Sequence, residues 1–308
     1  MRILFAGTPE IGVPSLNALV NEFDVCGVLT NPDRPQGRKK TLFPSPIKAR
    51  AEELELNIFQ PDRLESELYS KIKELKPDLL VCIAYGKIFK KEFLDIFPLG
   101  GVNIHPSLLP IYRGPSPLSA AILNGDKVSG ISIQRLAAKM DSGNILLQEK
   151  FELSEKETTG SLTERVATMA APYIVKVVKD IESDSVTEWE QNDDDATFCK
   201  LIMKDDGIID WSMDSNQLLN MIRAYNPWPM AQTEFEGKGL NIIEAEASDI
   251  VGDGEPGRVL EYSKANGFLV KTGDGTIYIT RLQLQSKKAL DYKSFNNGVK
   301  NFVNTLLG

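Results

Sequence analysis

Short apolar runs alternate with helix-like stretches along the first half of the chain. The apolar runs are rich in β-branched residues and predict strands at Ile3–Ala6, Val25–Thr30, Asp78–Ala84, Val102–His105, Ile131–Leu136 and Ile145–Leu153. Helices are predicted from Val13, after Ser45 with Pro46 at the first helical position, and over Leu162–Ile181. A long polar loop is predicted over Asn31–Pro44. Strands that alternate with helices indicate an α/β fold with a mostly parallel sheet.

The pattern changes after residue 182. Residues 182–206 are acidic and aperiodic, which predicts a linker. A helix at Ser215–Ala224 is followed by short, glycine-separated strands at Ala231–Phe235, Asn241–Ala245, Arg258–Tyr262, Phe268–Thr272 and Thr276–Leu284. This spacing predicts a small OB-like β-barrel. We therefore expect one domain over 1–184, a linker over 185–204 and a second domain over 205–308.

Composition narrows the classes of function. The net charge of −8 argues against nonspecific binding to a polyanion, so any nucleic acid must meet a local basic patch. One histidine and three scattered cysteines cannot build a Cys/His zinc site, and no metal is implied. The unpaired cysteines favour a reducing compartment, and the chain has neither a signal-peptide pattern nor an apolar run of membrane-spanning length. We expect a cytoplasmic, monomeric protein without membrane contact.

The only histidine lies at a chemically suggestive place. Asn103 and His105 are two residues apart on a predicted strand that ends at Pro106, so their side chains share one face at its carboxyl end. Open α/β sheets place their ligand crevices at that end. Taken alone, such a pair is more often a core histidine with satisfied hydrogen bonds beside a structural asparagine.

Two further stretches change that balance. Asp141 lies in the loop Lys139–Gly143 after a predicted strand, where a carboxylate can set the orientation and protonation of a histidine; alone, it is a turn residue. The run Ser107-Leu108-Leu109-Pro110 places two leucines in a loop between prolines. They form either a rigid apolar wall for a flat ligand or a plug for the edge of the sheet.

The combined pattern resembles a known family. Asn-x-His-Pro-Ser-Leu-Leu-Pro from Asn103, then Arg113-Gly114, then Met140-Asp141-Ser142-Gly143 is similar to the folate-dependent formyltransferases, which use 10-formyltetrahydrofolate. The resemblance implies a Rossmann-like N-terminal domain. Within the family, the chain is most similar to the members that act on methionyl-tRNA, and this similarity covers nearly the whole chain. It is carried by the stretches Phe5–Glu10, Pro32–Arg38, Val81–Ile88, Asp206–Trp211 and Arg223–Pro229. Pro106, Asn144 and Met230 depart from the usual pattern, and none of them is a proposed catalytic residue.

The resemblance also implies a reaction and its residues. A formyl group passes from 10-formyltetrahydrofolate to the α-amine of methionine on initiator methionyl-tRNA, for the initiation of translation. Asn103 stabilises the tetrahedral oxyanion, His105 moves the proton, and Asp141 orients His105 and favours its protonated form. Further positions are assigned to folate binding (Ser107, Leu108, Leu109, Pro110, Tyr85, Ile88) and to tRNA binding (Arg34, Arg38, Lys39, Lys40).

Other functions stay open on the sequence alone. A sugar-nucleotide N-formyltransferase would use the same folate donor and the same three catalytic residues with a different acceptor. A one-carbon hydrolase would use water in place of the amine, and a catalytically silent folate- or RNA-binding module would use neither. The basic loop Arg34–Lys40 is compatible with a solvated loop as well as with a phosphate-binding one. Nicotinamide and ATP binding are not expected, because the glycine-rich phosphate loops of both classes are missing.

Overall fold

The computed structural model describes residues 1–36 and 41–308. These residues form two compact units, each discontinuous in sequence. The first comprises Met1–Pro117, Val128–Glu152 and Thr163–Lys200, and the second comprises Leu118–Lys127, Leu153–Leu162 and Leu201–Gly308. Most of the expected linker, residues 185–200, therefore clusters with the first unit. The domain boundaries expected at 184 and 204 stay a prediction.

Strands and helices alternate along the first unit. Its strands are β1 (Arg2–Gly7), β2 (Asp24–Leu29), β3 (Arg34–Gln36), β4 (Thr41–Phe43), β5 (Ile58–Phe59), β6 (Leu79–Ile83), β7 (Gly101–His105), β8 (Val128–Arg135) and β9 (Ile145–Glu152). The helices of this stretch are α1 (Val13–Glu22), α2 (Pro46–Glu53), α3 (Ser66–Glu74), α4 (Lys91–Leu94), α5 (Pro117–Leu123) and α6 (Thr159–Glu182), with α5 and the start of α6 counted in the second unit. The predicted cap of α2 is confirmed, because the Ser45 side chain accepts a hydrogen bond from the Lys48 amide.

Seven of these strands form one sheet in the order β5-β2-β1-β6-β7-β8-β9. The first five in this order pair in parallel, which confirms the expected mostly parallel, Rossmann-like sheet. β8 and β9 run antiparallel to their neighbours. The connection between them, residues 136–144, is too short for the helical crossover that a parallel pair requires.

The expected polar loop over 31–44 needs a correction. Its described residues include an antiparallel pair of short strands, β3 and β4. Leu42 and Phe43 on β4 are 62% and 47% exposed, so two apolar side chains stand in a segment that was expected to be polar. These two apolar residues are consecutive and the run is only three residues long, so it carries no periodic signal of a strand.

One face of the large sheet is divided into an apolar part and a polar part. Under β1, β2 and β6 it carries a buried cluster that includes a run of aromatic rings, with Tyr85 stacked on Phe89 and Phe89 on Phe93. Toward β7 and β8 the same face carries Asn103 and His105, because Asn103 is in register with Cys82 of that cluster. The polar side chains therefore lie beside a well-packed core that fixes the strands carrying them.

The second unit is built on an antiparallel sheet. Its elements after Lys200 are α7 (Ser215–Ala224), β10 (Ala231–Phe235), β11 (Lys238–Ala247), β12 (Val259–Ser263), β13 (Gly267–Lys271), β14 (Thr276–Leu284), β15 (Leu290–Asp291) and α8 (Tyr292–Gly298). The strand order is β10-β11-β14-β13-β12, with β15 paired to β14. The prediction of a small β domain after the α/β domain is confirmed, in the form of an antiparallel sheet accompanied by α7 and α8.

An aromatic cluster fills the core of this second unit. The ring of Phe268 is fully buried and lies 4.7 to 5.9 Å from the ring centroids of Tyr262, Phe295 and Phe302. We expect Phe268→Ala to lower the free energy of unfolding by about 3–5 kcal/mol, through lost burial and the cavity left behind. Urea unfolding followed by tryptophan fluorescence measures this loss. Val251→Ala, at an 89% exposed position of the same unit, is the control; equal stability of the two variants would contradict this packing.

Within the described residues, no helix is long and apolar enough to cross a membrane.

Candidate active site

Polar side chains from three neighbouring strands meet on one face of the sheet. Asn103 and His105 of β7 are in register with Gln134 and Ser132 of β8, and Ser132 is in register with Gln148 of β9. Residues paired across strands project their side chains to the same face. The polar set is thus built into paired strands, which hold it more rigidly than loops would.

His105 has a distinct environment at each ring nitrogen. Its Nε2 lies 2.9 Å from the carbonyl oxygen of Tyr112, and its Nδ1 lies 3.6 Å from Oδ1 of Asp141. A carbonyl oxygen only accepts hydrogen bonds, so Nε2 must carry a hydrogen. In the neutral imidazole, Nδ1 is then the nitrogen with the free lone pair, and it faces the carboxylate.

Asp141 is fixed by donors on both carboxylate oxygens. Gln134 Nε2 donates to Oδ1 at 2.9 Å, and the Gly114 amide donates to Oδ2 at 2.8 Å. The residue has φ of 49°, a left-handed conformation that aspartate tolerates better than most residues. Two residues on, a Cβ at Gly143 would collide with the Arg135 carbonyl, which explains the glycine in the Asp-Ser-Gly turn.

Burial and charge act on His105 in opposite directions. Burial lowers the pKa of His105 below its ordinary value, while the Asp141 carboxylate and the hydrogen bond to Tyr112 oppose that shift. The side chain is only 4% exposed, so the cost of desolvating a charge prevails. The imidazole is therefore neutral at pH 7. Asp141 favours the protonated form, as expected, but its effect on the pKa of His105 is smaller than the opposing effect of burial.

Removing the charge of Asp141 should lower the pKa of His105 further. In Asp141→Asn the attraction for an imidazolium is lost while burial remains, so the titration of His105 should move to more acidic pH. The chain has one histidine, so proton NMR follows its ring signals without assignment. The control is Lys139→Ala, at an exposed position of the same loop. An unchanged titration curve in Asp141→Asn would exclude Asp141 as a partner of His105.

Asn103 is half-buried next to this pair, at the same end of β7. Among the residues that the structure describes, none makes a hydrogen bond to its side-chain amide, which contrasts with the multiply bonded Gln134, Ser132 and Gln148 around it. An amide N–H that is not used internally is available to an oxygen of a bound molecule.

The loop after β7 is locked by the neighbouring strand. Ser132 Oγ donates to the Ser107 carbonyl at 2.7 Å and accepts from the Leu109 amide at 3.1 Å. Ser107 is buried and its Oγ donates to the Ile111 carbonyl at 2.6 Å. This hydroxyl is occupied as a donor, so it has no base to activate it as a nucleophile.

The four residues assigned to a folate-binding wall differ in accessibility. Ser107 and Leu109 are buried, whereas Leu108 and Pro110 are half-buried. Leu108 also packs on the backbone of Gly130, where a Cβ would collide with it. The burial of Leu109 agrees with the interpretation that it plugs the edge of the sheet. A role of Ser107–Pro110 in ligand binding stays a prediction, and Leu108 and Pro110 are the accessible residues of this run.

The other two assigned folate residues lie in the loop after β6. The ring of Tyr85 is 1% exposed in the apolar cluster, and its carbonyl accepts a hydrogen bond from Asn31 at 2.9 Å. Ile88 is 77% exposed. Within this loop the solvent-facing apolar surface thus comes from Ile88 and not from Tyr85, and a ligand contact of either residue stays a prediction.

Of the four cations assigned to tRNA binding, one lies in the described residues. Arg34 is exposed on β3, opposite Phe43. Arg38, Lys39 and Lys40 fall outside the described residues.

Sequence reasoning missed the polar groups that surround Asp141. Ser132 and Gln134 alternate with Ile131 and Ile133 in β8, and this alternation was a usable signal. Gln191 lies in the acidic segment that was expected to be a linker, where no pattern distinguishes it from its neighbours. Among the described residues, no group of three or more histidine, cysteine or acidic side chains is placed to hold a metal ion.

A buried imidazole lies between a carboxylate and a carbonyl, beside an amide that no described residue binds. This arrangement suits a transferase that moves a proton while an oxygen gains negative charge. Comparison with known proteins identifies the class. The "Formyl transferase" family profile matches residues 1–178, and the "Formyl transferase, C-terminal domain" profile matches residues 201–300. The chain therefore belongs to the formyl transferase family.

Individual relatives sharpen this assignment. A methionyl-tRNA formyltransferase of Treponema denticola is 42% identical over 316 residues, covering 98% of this chain and 98% of that protein. The solved N-formyltransferase of Helicobacter canadensis, in complex with folinic acid and dTDP-3-aminofucose, matches with a TM-score of 0.67 at 20% identity, over 92% of this chain and 99% of that one. The methionyl-tRNA formyltransferase of Clostridium thermocellum matches with a TM-score of 0.57 at 17% identity, over 81% and 94%. The two solved structures support the fold.

Proposed function

We propose that this chain transfers a formyl group from 10-formyltetrahydrofolate to the α-amine of methionine on initiator methionyl-tRNA, and so supplies translation initiation. The observation that carries the proposal is the buried His105 held between the Tyr112 carbonyl and the Asp141 carboxylate, beside Asn103, whose side-chain amide has no hydrogen-bond partner among the described residues. The full-length similarity to methionyl-tRNA formyltransferases supports this acceptor. The enzyme acts in the cytoplasm as a monomer.

The residues present fit a folate donor. A flat heteroaromatic ring requires apolar surface on its faces and backbone polar groups at its edge. Ile88 and the half-buried Leu108 and Pro110 offer apolar surface, and the loops that carry them follow β6 and β7 at the carboxyl end of the parallel strands. When bound, the folate supplies the formyl group.

Asn103 and His105 divide the chemistry between them. As the amine attacks the formyl carbon, negative charge develops on the formyl oxygen, and the Asn103 amide donates a hydrogen bond to it. The amine must also lose a proton, and the neutral His105 accepts it at Nδ1. Asp141 stabilises the imidazolium that results, because its carboxylate lies 3.6 Å from that nitrogen. His105 then returns this proton to the folate nitrogen as the bond between that nitrogen and the formyl carbon breaks, so that tetrahydrofolate leaves. No protein nucleophile takes part, in keeping with the occupied hydroxyl of Ser107.

The acceptor decides between the proposal and its alternatives. The enzyme is given formyl-labelled donor with charged initiator tRNA, with a dTDP-amino sugar, or with no acceptor. We expect label on the methionine of the tRNA and none on the sugar. Label on the sugar would establish a sugar-nucleotide N-formyltransferase, and rapid release of labelled formate without an acceptor would establish a hydrolase.

The salt dependence of kcat/KM for tRNA gives a second test, which concerns the basic residues assigned to tRNA binding. The logarithm of the binding constant falls as the logarithm of the salt concentration rises, and each phosphate contact that is lost makes this slope less steep by about 0.7–0.9. Replacing Arg38, Lys39 and Lys40 with alanine should lower kcat/KM for tRNA and flatten its salt dependence by up to two or three contacts. Arg38 should contribute most, since its guanidinium binds a phosphate through two hydrogen bonds.

A charge-matched control separates contact from net charge. Lys71→Ala combined with Lys73→Ala and Lys76→Ala removes three exposed cations from α3 and the residues just after it, where Lys71 pairs with Glu67. We expect this variant to keep the wild-type salt slope for kcat/KM. Parallel slopes in the wild type and the triple variant would show that this segment does not touch phosphate.

A further inference from the structure

Gln191 lies at the centre of a hydrogen-bond network behind Asp141. Its Nε2 lies 2.7 Å from the Gly143 carbonyl, 2.9 Å from the Asp141 carbonyl and 3.2 Å from Gln134 Oε1. Its Oε1 accepts hydrogen bonds from the Nε and an Nη of Arg113, at 3.1 and 2.9 Å. One side chain therefore bonds to both ends of the Asp-Ser-Gly turn and to the glutamine that holds the Asp141 carboxylate.

The chemistry of each partner sets the direction of this network. A guanidinium only donates, so the buried Arg113 forces the Gln191 oxygen toward itself and the NH₂ group toward the turn. The NH₂ of Gln191 in turn requires the oxygen of Gln134 to face it. Gln134 then presents its own NH₂ to Asp141 Oδ1, 2.9 Å away. The orientation passes from Arg113 through Gln191 and Gln134 to the carboxylate that faces His105.

We propose that Gln191, held by Arg113, is a positioning residue for formyl transfer: it sets the turn at Asp141 and the orientation of its carboxylate toward Nδ1 of His105. This inference rests on the proposed function. A misplacement of a catalytic group by about 1 Å costs up to about 10²-fold in rate.

Gln191→Glu tests positioning against mere anchoring of the segment. The carboxylate keeps the length of the side chain and its bond to Arg113, but it loses every donor to the turn and turns an oxygen toward two carbonyls. We expect kcat of the folded variant to fall about 10- to 100-fold, with little change in KM for tRNA or for the folate donor. Gln191→Met, which keeps the length without polar atoms, should lose kcat in the same way if the glutamate variant is unstable.

Asp193→Asn is the matched control. Asp193 belongs to the same segment and accepts a hydrogen bond from the same Arg113 at 2.7 Å, but it is 65% exposed and is not bonded to the turn. We expect wild-type kcat from this variant. The positioning role would be overturned if folded Gln191→Glu and Gln191→Met kept the wild-type kcat, or if only KM changed in these variants. A wild-type enzyme that leaves methionyl-tRNA unformylated would instead overturn the proposed function, so the two failures are distinguishable.

Discussion

His105→Ala should lower kcat for the formylation of methionyl-tRNA by about 10²–10⁴-fold, because the variant loses the group that takes the proton of the amine. The affinity for the folate donor should change little, since the apolar surface assigned to the folate lies on Ile88, Leu108 and Pro110 and not on the imidazole. Steady-state formylation at saturating donor and tRNA measures kcat, and equilibrium titration measures the affinity.

Lys139→Ala, at the exposed position in the Asp141 loop, is the control for expression and folding. It should keep wild-type kcat. Near-normal turnover by purified, folded His105→Ala would remove His105 from the mechanism, whatever the behaviour of the control.

Asn103→Ala should lower kcat by about 10²–10³-fold, because one preorganised donor to the charged oxygen is lost. Asn103→Asp is the sharper variant. It keeps the shape of the side chain but replaces the N–H donors with a carboxylate that repels the developing charge. Both variants should retain KM for tRNA. Full activity in Asn103→Asp would show that no amide hydrogen bond from this position serves the reaction.

Much of the fold could be predicted because its signals are local. The buried strands read as short apolar runs, and β10, β14 and α7 begin and end at the predicted residues. The Ser45 cap and Pro46 fixed the start of α2. The strand period of two also placed Asn103 and His105 on one face, as the register with Gln134 and Ser132 bears out.

Other features of the fold and the site could not be predicted, because they have no periodic signal or depend on contacts between residues far apart in sequence. The antiparallel pairing of β8 with β9 follows from the short connection between them, residues 136–144. The exposed β3–β4 pair is too short to carry a periodic signal. The neutral state of His105 required its burial to be known, because Asp141 alone argues for the opposite sign. Gln191 reaches the turn across 48 to 50 positions of sequence and Gln134 across 57, so only the tertiary structure brings these residues together.

The central claim is direct transfer of the formyl group from the folate to the methionine of the initiator tRNA, with no intermediate attached to the protein. A rapid-quench single turnover measures it: enzyme with bound formyl-labelled donor is mixed with charged initiator tRNA, and label is followed in the donor, the protein and the tRNA. We predict that label leaves the donor and appears on methionyl-tRNA in one phase with the same rate constant, and that the protein fraction stays unlabelled throughout. Label that accumulates on the protein before the tRNA, or donor consumption without labelled tRNA, would contradict the account.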